Sequence, residues 1–294
     1  MNRIVRFGVA LAASASLPAF GGTLRVHAGP ARTLAELSAQ VRNSIVRPST
    51  PPKRRPNAVI YDLGANAILI PGAGNLPGEN GTYFRSDVML VNYRNIDQVV
   101  GIAWLAQGTG STSEQFSFYT LSARSAVALD DFVGQTLGKQ GLGAVEIIGV
   151  DSSHNYDLSA YIDATSRIWT AQPGGAGTTS LQLASVSYFD DLDTFPAYAY
   201  GMKQTAGFHT NVGIVNLDNT AHTWTVSVNG QNSATTFSVT VPPLSLQQTP
   251  LPAGDFGDLW VAFQPQDAGF YWSAYAVSDD NTTGDGWAAH AYQP

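Results

Sequence analysis

From Phe84 to Asn95 the chain reads F-R-S-D-V-M-L-V-N-Y-R-N, and from Phe208 to Asn219 it reads F-H-T-N-V-G-I-V-N-L-D-N. Alternate residues of a strand point to opposite faces. One face of the first stretch carries Phe84, Ser86, Val88, Leu90 and Asn92. The same face of the second carries Phe208, Thr210, Val212, Ile214 and Asn216. The repeated face is the core face. The other face changes freely: Arg85 becomes His209, Met89 becomes Gly213 and Tyr93 becomes Leu217. Each stretch ends N-x-x-N, which predicts a turn, because Asn side chains bond nearby backbone groups.

Further strands follow in the same order in each copy. Val100, Ile102 and Trp104 alternate over 98–105. Trp224, Val226 and Val228 alternate more sharply with Thr223, Thr225 and Ser227. Phe116-Ser117-Phe118 matches Phe237-Ser238-Val239. Strands at 144–149 and 158–163 match 259–263 and 272–277, the last pair through Ser159-Ala160-Tyr161 and Ser273-Ala274-Tyr275. The Gly-rich Asp130–Gly143 reads as a loop insertion in the first copy, where insertions are tolerated. Each copy opens on an apolar-Pro pair, Ile70-Pro71 and Phe195-Pro196, which suits the start or edge of a sheet. Gln172–Ser180 (Q-P-G-G-A-G-T-T-S) reads as a flexible linker. Short strands with frequent turns predict an all-β chain of two tandem immunoglobulin-like antiparallel β-sandwich modules, over 59–174 and 175–294.

The N-terminal part differs. Arg3 and Arg6 precede an apolar, small-residue run to Leu17, and residues 1–20 read as a signal peptide. That run is too short to span a membrane, which takes about 20 residues. Residues 21–58 read as a basic leader and linker ending in P-S-T-P-P-K-R-R-P, with a short helix expected over 33–46. Thr33 and Glu36 have capping-box spacing, and Leu34, Leu37, Val41 and Ile45 recur at helical intervals. Residues 1–55 hold nine Lys/Arg and one acid, a net of +8. The rest hold six Lys/Arg and 21 acids, a net of −15. An acidic body is a poor nucleic-acid binder, since phosphate contacts need clustered Lys/Arg. No cysteine is present, so no disulfide contributes.

The order I-P, F-x-[S/T]-[D/N]-V-x-[L/I]-V-N and a late D-N-x-T-G-D resembles a repeated domain of secreted bacterial proteins. The resemblance covers roughly residues 67–294. The late motif is intact in the second copy, at Asp280-Asn281-Thr282-Thr283-Gly284-Asp285. The first copy departs from it, reading Asp163-Ala164-Thr165-Ser166-Arg167. The resemblance implies a β-sandwich and an extracellular setting. It implies no established activity and brings no catalytic residues.

Two chemistries remain open. Asp279, Asn281, Thr283 and Gly284 match the first positions of an EF-hand-type calcium loop, and Asp285 adds a carboxylate. Position 12 is His290, however, and no helices flank the loop. Asp279, Asn281, Thr283 and Asp285 are thus a candidate calcium site, against a plain turn between the last two strands. Asp190-Asp191 with Asp193 is a second acidic cluster. Among aromatics, Tyr271, Trp287 and Trp169 are candidates for stacking on sugar rings, against core packing. No G-x-S-x-G, H-E-x-x-H or Cys nucleophile is present, although aspartates and glutamates could supply a glycosidase pair. The sequence therefore reads first as an exported, non-enzymatic interaction or structural protein. Its partner would be a cell-surface or extracellular protein or a polysaccharide. A carbohydrate-binding protein comes second and a secreted hydrolase third.

Overall fold

Val88, Leu90 and Asn92 lie on the buried face of one strand, and Val212, Ile214 and Asn216 on the buried face of another. The computed structural model describes residues 22, 24–44, 65–78, 81–172, 175–187 and 196–293. Residues 1–20, the P-S-T-P-P-K-R-R-P stretch, Ile45, Asp190, Asp191, Asp193 and Phe195 lie outside them. The fold is all-β with antiparallel sheets.

The first half runs β1 (Leu24–Val26), α1 (Leu34–Ser44), β2 (Ala67–Pro77), β3 (Tyr83–Asn92), β4 (Gln98–Ala106), β5 (Ser117–Leu121), β6 (Ser125–Leu129), β7 (Gly141–Val150), β8 (Ile162–Ala171), β9 (Thr178–Ala184) and β10 (Val186–Ser187). The second runs β11 (Ala197–Gln204), β12 (Phe208–Asn216), β13 (His222–Gly230), β14 (Ala234–Val241), β15 (Ser245–Pro250), β16 (Gly257–Pro265), β17 (Trp272–Asp280) and β18 (Gly286–His290). The second half pairs as β11-β16-β13-β14 and β15-β12-β17-β18. The first half has the same pairings, β2-β7-β4-β5 and β6-β3-β8-β9, with β1 added outside β5 and a short β2–β3 pairing that links the two sheets.

Ile68, Val88, Ile102 and Ile147 belong to the core between the first pair of sheets. Val212, Trp224, Val261 and Trp272 belong to the core between the second. A third core joins the halves. It holds Leu69, Leu105, Ile148 and Val150 from the first half with Val215, Leu217, Leu246 and Tyr275 from the second. Four sheets are therefore stacked with three apolar layers between them. The first half uses the outer face of β2-β7-β4-β5, and the second uses that of β15-β12-β17-β18. Both faces of β4 and β7 are consequently buried, and both strands are mostly apolar without alternation, Glu146 being the charged exception on β7.

The helix belongs to that joint. Thr33 N–H donates to Glu36 Oε2 (2.9 Å) and Glu36 N–H to Thr33 Oγ1 (3.2 Å), closing the expected capping box. An isolated helix this short is marginal in water. Burial of Leu34, Leu37 and Val41 in the joint supplies what propensity cannot. Ser38 Oγ–H reaches both carboxylate oxygens of the buried Glu146 on β7 (3.0 and 2.8 Å). Arg42 donates to the Leu217 carbonyl of the second half (2.7 Å). Residues 24–44 are thus part of the folded body rather than a leader.

Four sequence readings move. The boundary expected at 174/175 falls inside the β8–β9 hairpin. Ala171 pairs with Thr178 and Trp169 with Ser180, so Thr178–Ser180 belong to the return strand, and β10 goes back to β2. The strand expected at 158–163 starts at Ile162. The pairs Asn92↔Ile162 and Asn216↔Trp272 make Ile162, not Ser159-Ala160-Tyr161, the counterpart of the strand beginning at Trp272. The Phe116/Phe237 match is one residue out of register. Ile102 opposes Ser117 and Val226 opposes Phe237, so Phe116 and Phe118 face the joint while Phe237 and Val239 face the second half's own core. A slip of one residue changes the face. Finally, Pro71 lies inside β2 at a register shift between Ile70 and Ala73. A bulge accommodates its missing N–H there.

Candidate functional site

Asp279 and Asp280 end β17, and Asn281 to Asp285 form the turn into β18. Its polar groups are used locally. One carboxylate oxygen of Asp280 accepts the amides of Thr282 (2.7 Å) and Thr283 (3.1 Å), which holds its pKa below the usual range. Thr283 Oγ1 accepts the Asp285 amide (3.2 Å). Asp279 lies 3.5 Å from His209 Nε2, and the same imidazole bonds Asn281 Oδ1 through Nδ1. Burial raises the Asp279 pKa, and the nearby His209 opposes the rise. Of the four candidate ligands, two face His209 and one stabilises the turn. Among the described residues no group of three or more His, Asp or Glu is placed to hold a metal ion.

The three candidate aromatics are dispersed. Tyr271 packs against the joint, and its carbonyl accepts the Leu217 amide (3.0 Å). Trp169 on β8 lies 5.8 Å from the guanidinium carbons of both Arg85 and Arg167. Trp287 on β18 packs edge-on against Phe208 and donates to the Gly201 carbonyl (2.8 Å). No ring contact joins any two of them among the described residues.

A different group of rings does come together. Ala197 and Ala199 point into the second half's core, so Tyr198 and Tyr200 point outward from β11. Leu259, Val261 and Phe263 point inward on the neighbouring β16, so Trp260 points outward. Tyr198 and Tyr200 have ring centroids 6.1 Å apart and planes within 18°. Trp260 lies 5.7 Å from Tyr198 and 6.4 Å from Tyr200. Tyr292 is bridged directly to Tyr198 and extends the strip on the same face. Tyr200 is 56% exposed, Trp260 37% and Tyr292 60%. Tyr200 and Gly201 (φ 77°) form a bulge between Ala199 and Met202. It is the counterpart of the Pro71 bulge in the first half. The signal was present in the sequence as Y-A-Y and L-W-V, aromatics alternating with small or aliphatic residues.

Two shallow surface recesses measure about 410 and 340 Å³. The first holds His154, whose ring stacks on Phe118 at 3.5 Å and whose Nδ1 meets the Pro30 carbonyl at 2.8 Å. The second is lined by Gly81, Tyr83, Arg85 and Thr170 among others. Neither has a carboxylate in its lining, as a glycosidase pair would require. No helix among the described residues is long and apolar enough to cross a membrane.

No protein-family model matches the chain, and no curated protein matches it. Among solved structures it is similar to one described as "Crystal Structure of Thermotoga maritima 1070", at 9% identity and a TM-score of 0.30. That match covers 35% of this chain and 96% of the other, a likeness too slight to carry any argument.

Proposed function

We propose that this chain is an exported, non-catalytic binding protein that works at the cell exterior. Its mechanism is the display of one sheet face on a rigid support. The observation that carries this reading is the contrast between equivalent faces. In the first half the outer face of β2-β7-β4-β5 is buried in the joint. In the second the outer face of β11-β16-β13-β14 stands in solvent and carries clustered aromatics. Contact surfaces of this kind are built from rigid aromatic anchors. Asp280 is meanwhile engaged in a turn and Asp279 with His209, rather than converging on a cleft.

The test is to fractionate cells expressing the full chain and to assay the purified protein on chromogenic glycosides, esters and peptides. The expected result is recovery outside the cytoplasm and no turnover. Turnover abolished by a single Asp or Glu substitution would replace this reading with a hydrolase.

A further inference from the structure

We infer that the outer face of β11-β16-β13-β14 is a binding site for a neutral polysaccharide, with Tyr198, Tyr200, Trp260 and Tyr292 as its stacking platform. The inference rests on the reading of the chain as a binding protein and names the ligand class.

The argument is a comparison of equivalent positions. Leu69 and Ala103 flank Glu146 on neighbouring strands, and Tyr198 and Ser227 flank Ala262 in the same way. Ala144 opposes Leu105, and Trp260 opposes Asn229. The positions that are Leu69, Ala103, Leu105 and Ala144 in the first half are therefore Tyr198, Ser227, Asn229 and Trp260 in the second. The first set is aliphatic and buries itself against protein. The second set joins flat rings to hydroxyl and amide groups and remains open to solvent.

A pyranose ring has matching chemistry. Its C–H face stacks on an aromatic ring while its equatorial hydroxyls exchange hydrogen bonds with neutral side chains. The strip of rings runs across the strands. It gives way on β13 and β14 to Ser227, Asn229 and Thr236, all partly or fully exposed. Charge points the same way. The charged residues beside the rings, Lys203 and Asp258, lie 3.8 Å from one another and offset each other. This face is thus locally neutral on a body whose residues 56–294 carry −15. An anionic polymer would meet that overall charge without a basic patch to receive it.

The test uses the full chain and its Tyr200→Ala, Trp260→Ala and double variants, with Trp169→Ala as a control at the opposite end of the stack. Each is incubated with insoluble β-1,4-glucan, β-1,3-glucan, chitin, xylan and mannan, and the bound fraction is measured. The side chains are exposed, so thermal melting is expected to be unchanged. The expected result is retention on at least one polymer, weakened about tenfold by Trp260→Ala and abolished in the double variant, with Trp169→Ala as wild type. Retention on none of the five overturns the inference, as does retention that the double variant leaves intact. Sedimentation velocity covers the competing occupant. A dimer that the double variant dissolves would assign the face to a second copy of the chain. None of these failures produces turnover, so the reading as a non-catalytic binding protein stands or falls separately.

Discussion

Asn92 and Asn216 make the same set of hydrogen bonds in the two halves. Asn92 Nδ2 donates to the carbonyls of Ile96 (2.9 Å), Leu121 (3.4 Å) and Ser122 (3.0 Å), and its Oδ1 accepts the Arg94 amide (2.9 Å). Asn216 Nδ2 donates to Thr220 (2.7 Å), Val241 (3.3 Å) and Pro242 (3.0 Å), and its Oδ1 accepts the Asp218 amide (2.9 Å). Each side chain ties the end of a core strand to the next turn and to a strand of the same sandwich. The repeat of asparagine is structural.

Asn92→Ala and Asn216→Ala are each expected to destabilise the fold by about 2–4 kcal/mol, since buried carbonyls lose their donors. Aspartate keeps the shape but not the N–H groups, and is expected to be no better. Urea unfolding of the single variants checks both expectations.

Leu37 holds the joint shut from the helix side. Leu37→Ala is expected to cost about 2–5 kcal/mol, as for buried leucines elsewhere. Ser38→Ala takes a donor from the buried Glu146 carboxylate and is expected to cost about 1–3 kcal/mol. Both are read from denaturant midpoints. Neither loss is expected if residues 24–44 are a detached leader.

Gly213 lies directly opposite Tyr275, and a β-carbon there would fall 2.2 Å from a carbon of that ring. Gly213→Ala is expected to destabilise by about 1–3 kcal/mol through overpacking of the joint. The equivalent Met89 is 42% exposed, and Met89→Ala is expected to be close to neutral. Paired thermal melts separate the two outcomes.

The Asp280 turn needs no metal to satisfy its groups. Excess chelator and millimolar calcium are expected to leave the melting temperature of the full chain unchanged. A ligand bound only to the native state would raise it. A rise removed by Asp285→Ala would overturn this.

Burial works to raise the Asp157 pKa, and it is outweighed by hydrogen bonds from the Ser159 hydroxyl and amide and by the Arg94 guanidinium. The net value lies below the usual 3.8. The unfolded chain therefore binds more protons in that window. The stabilisation is present above pH 3.8 and is lost as pH falls through the folded value. Asp157→Asn is expected to cost about 1 kcal/mol at neutral pH, discounted for partial solvent screening. Its deficit should shrink in acid, which denaturation at several pH values would show.

Strand-level structure was legible because apolar alternation is set by which face is wet. Trp224, Val226 and Val228 alternate with Thr and Ser because one face of β13 meets solvent. The capping box at Thr33 was equally plain. What escaped the sequence is how the halves meet. Met89 and Gly213 differ because solvent covers the outer face of β3 while the first half covers that of β12. Read alone, that difference looked like freedom to vary. The loss of polar alternation over Val99–Ala106 and Ala144–Val150, interrupted only by Glu146, was the available sign of a second buried face. The aromatic strip was missed for a related reason: Tyr198, Tyr200, Trp260 and Tyr292 are scattered in sequence and converge only through strand pairing. The residues singled out by composition behave differently: Asp279 and Asn281 face His209 across the β12–β17 pair, and Tyr271 packs against the joint.

The joint between the halves has a direction. It pairs one kind of face from the first half with the other kind from the second, so it is head-to-tail, and contacts of that type extend from unit to unit unless the rotation between units closes a ring. A third unit placed by the same rule would sit on β11-β16-β13-β14. Repeat arrays end on a terminal unit with a polar outer face. Here, tyrosine, tryptophan, serine and asparagine stand where aliphatic residues would have invited another layer. That surface stands open to solvent where an aliphatic one would have stood open to another unit.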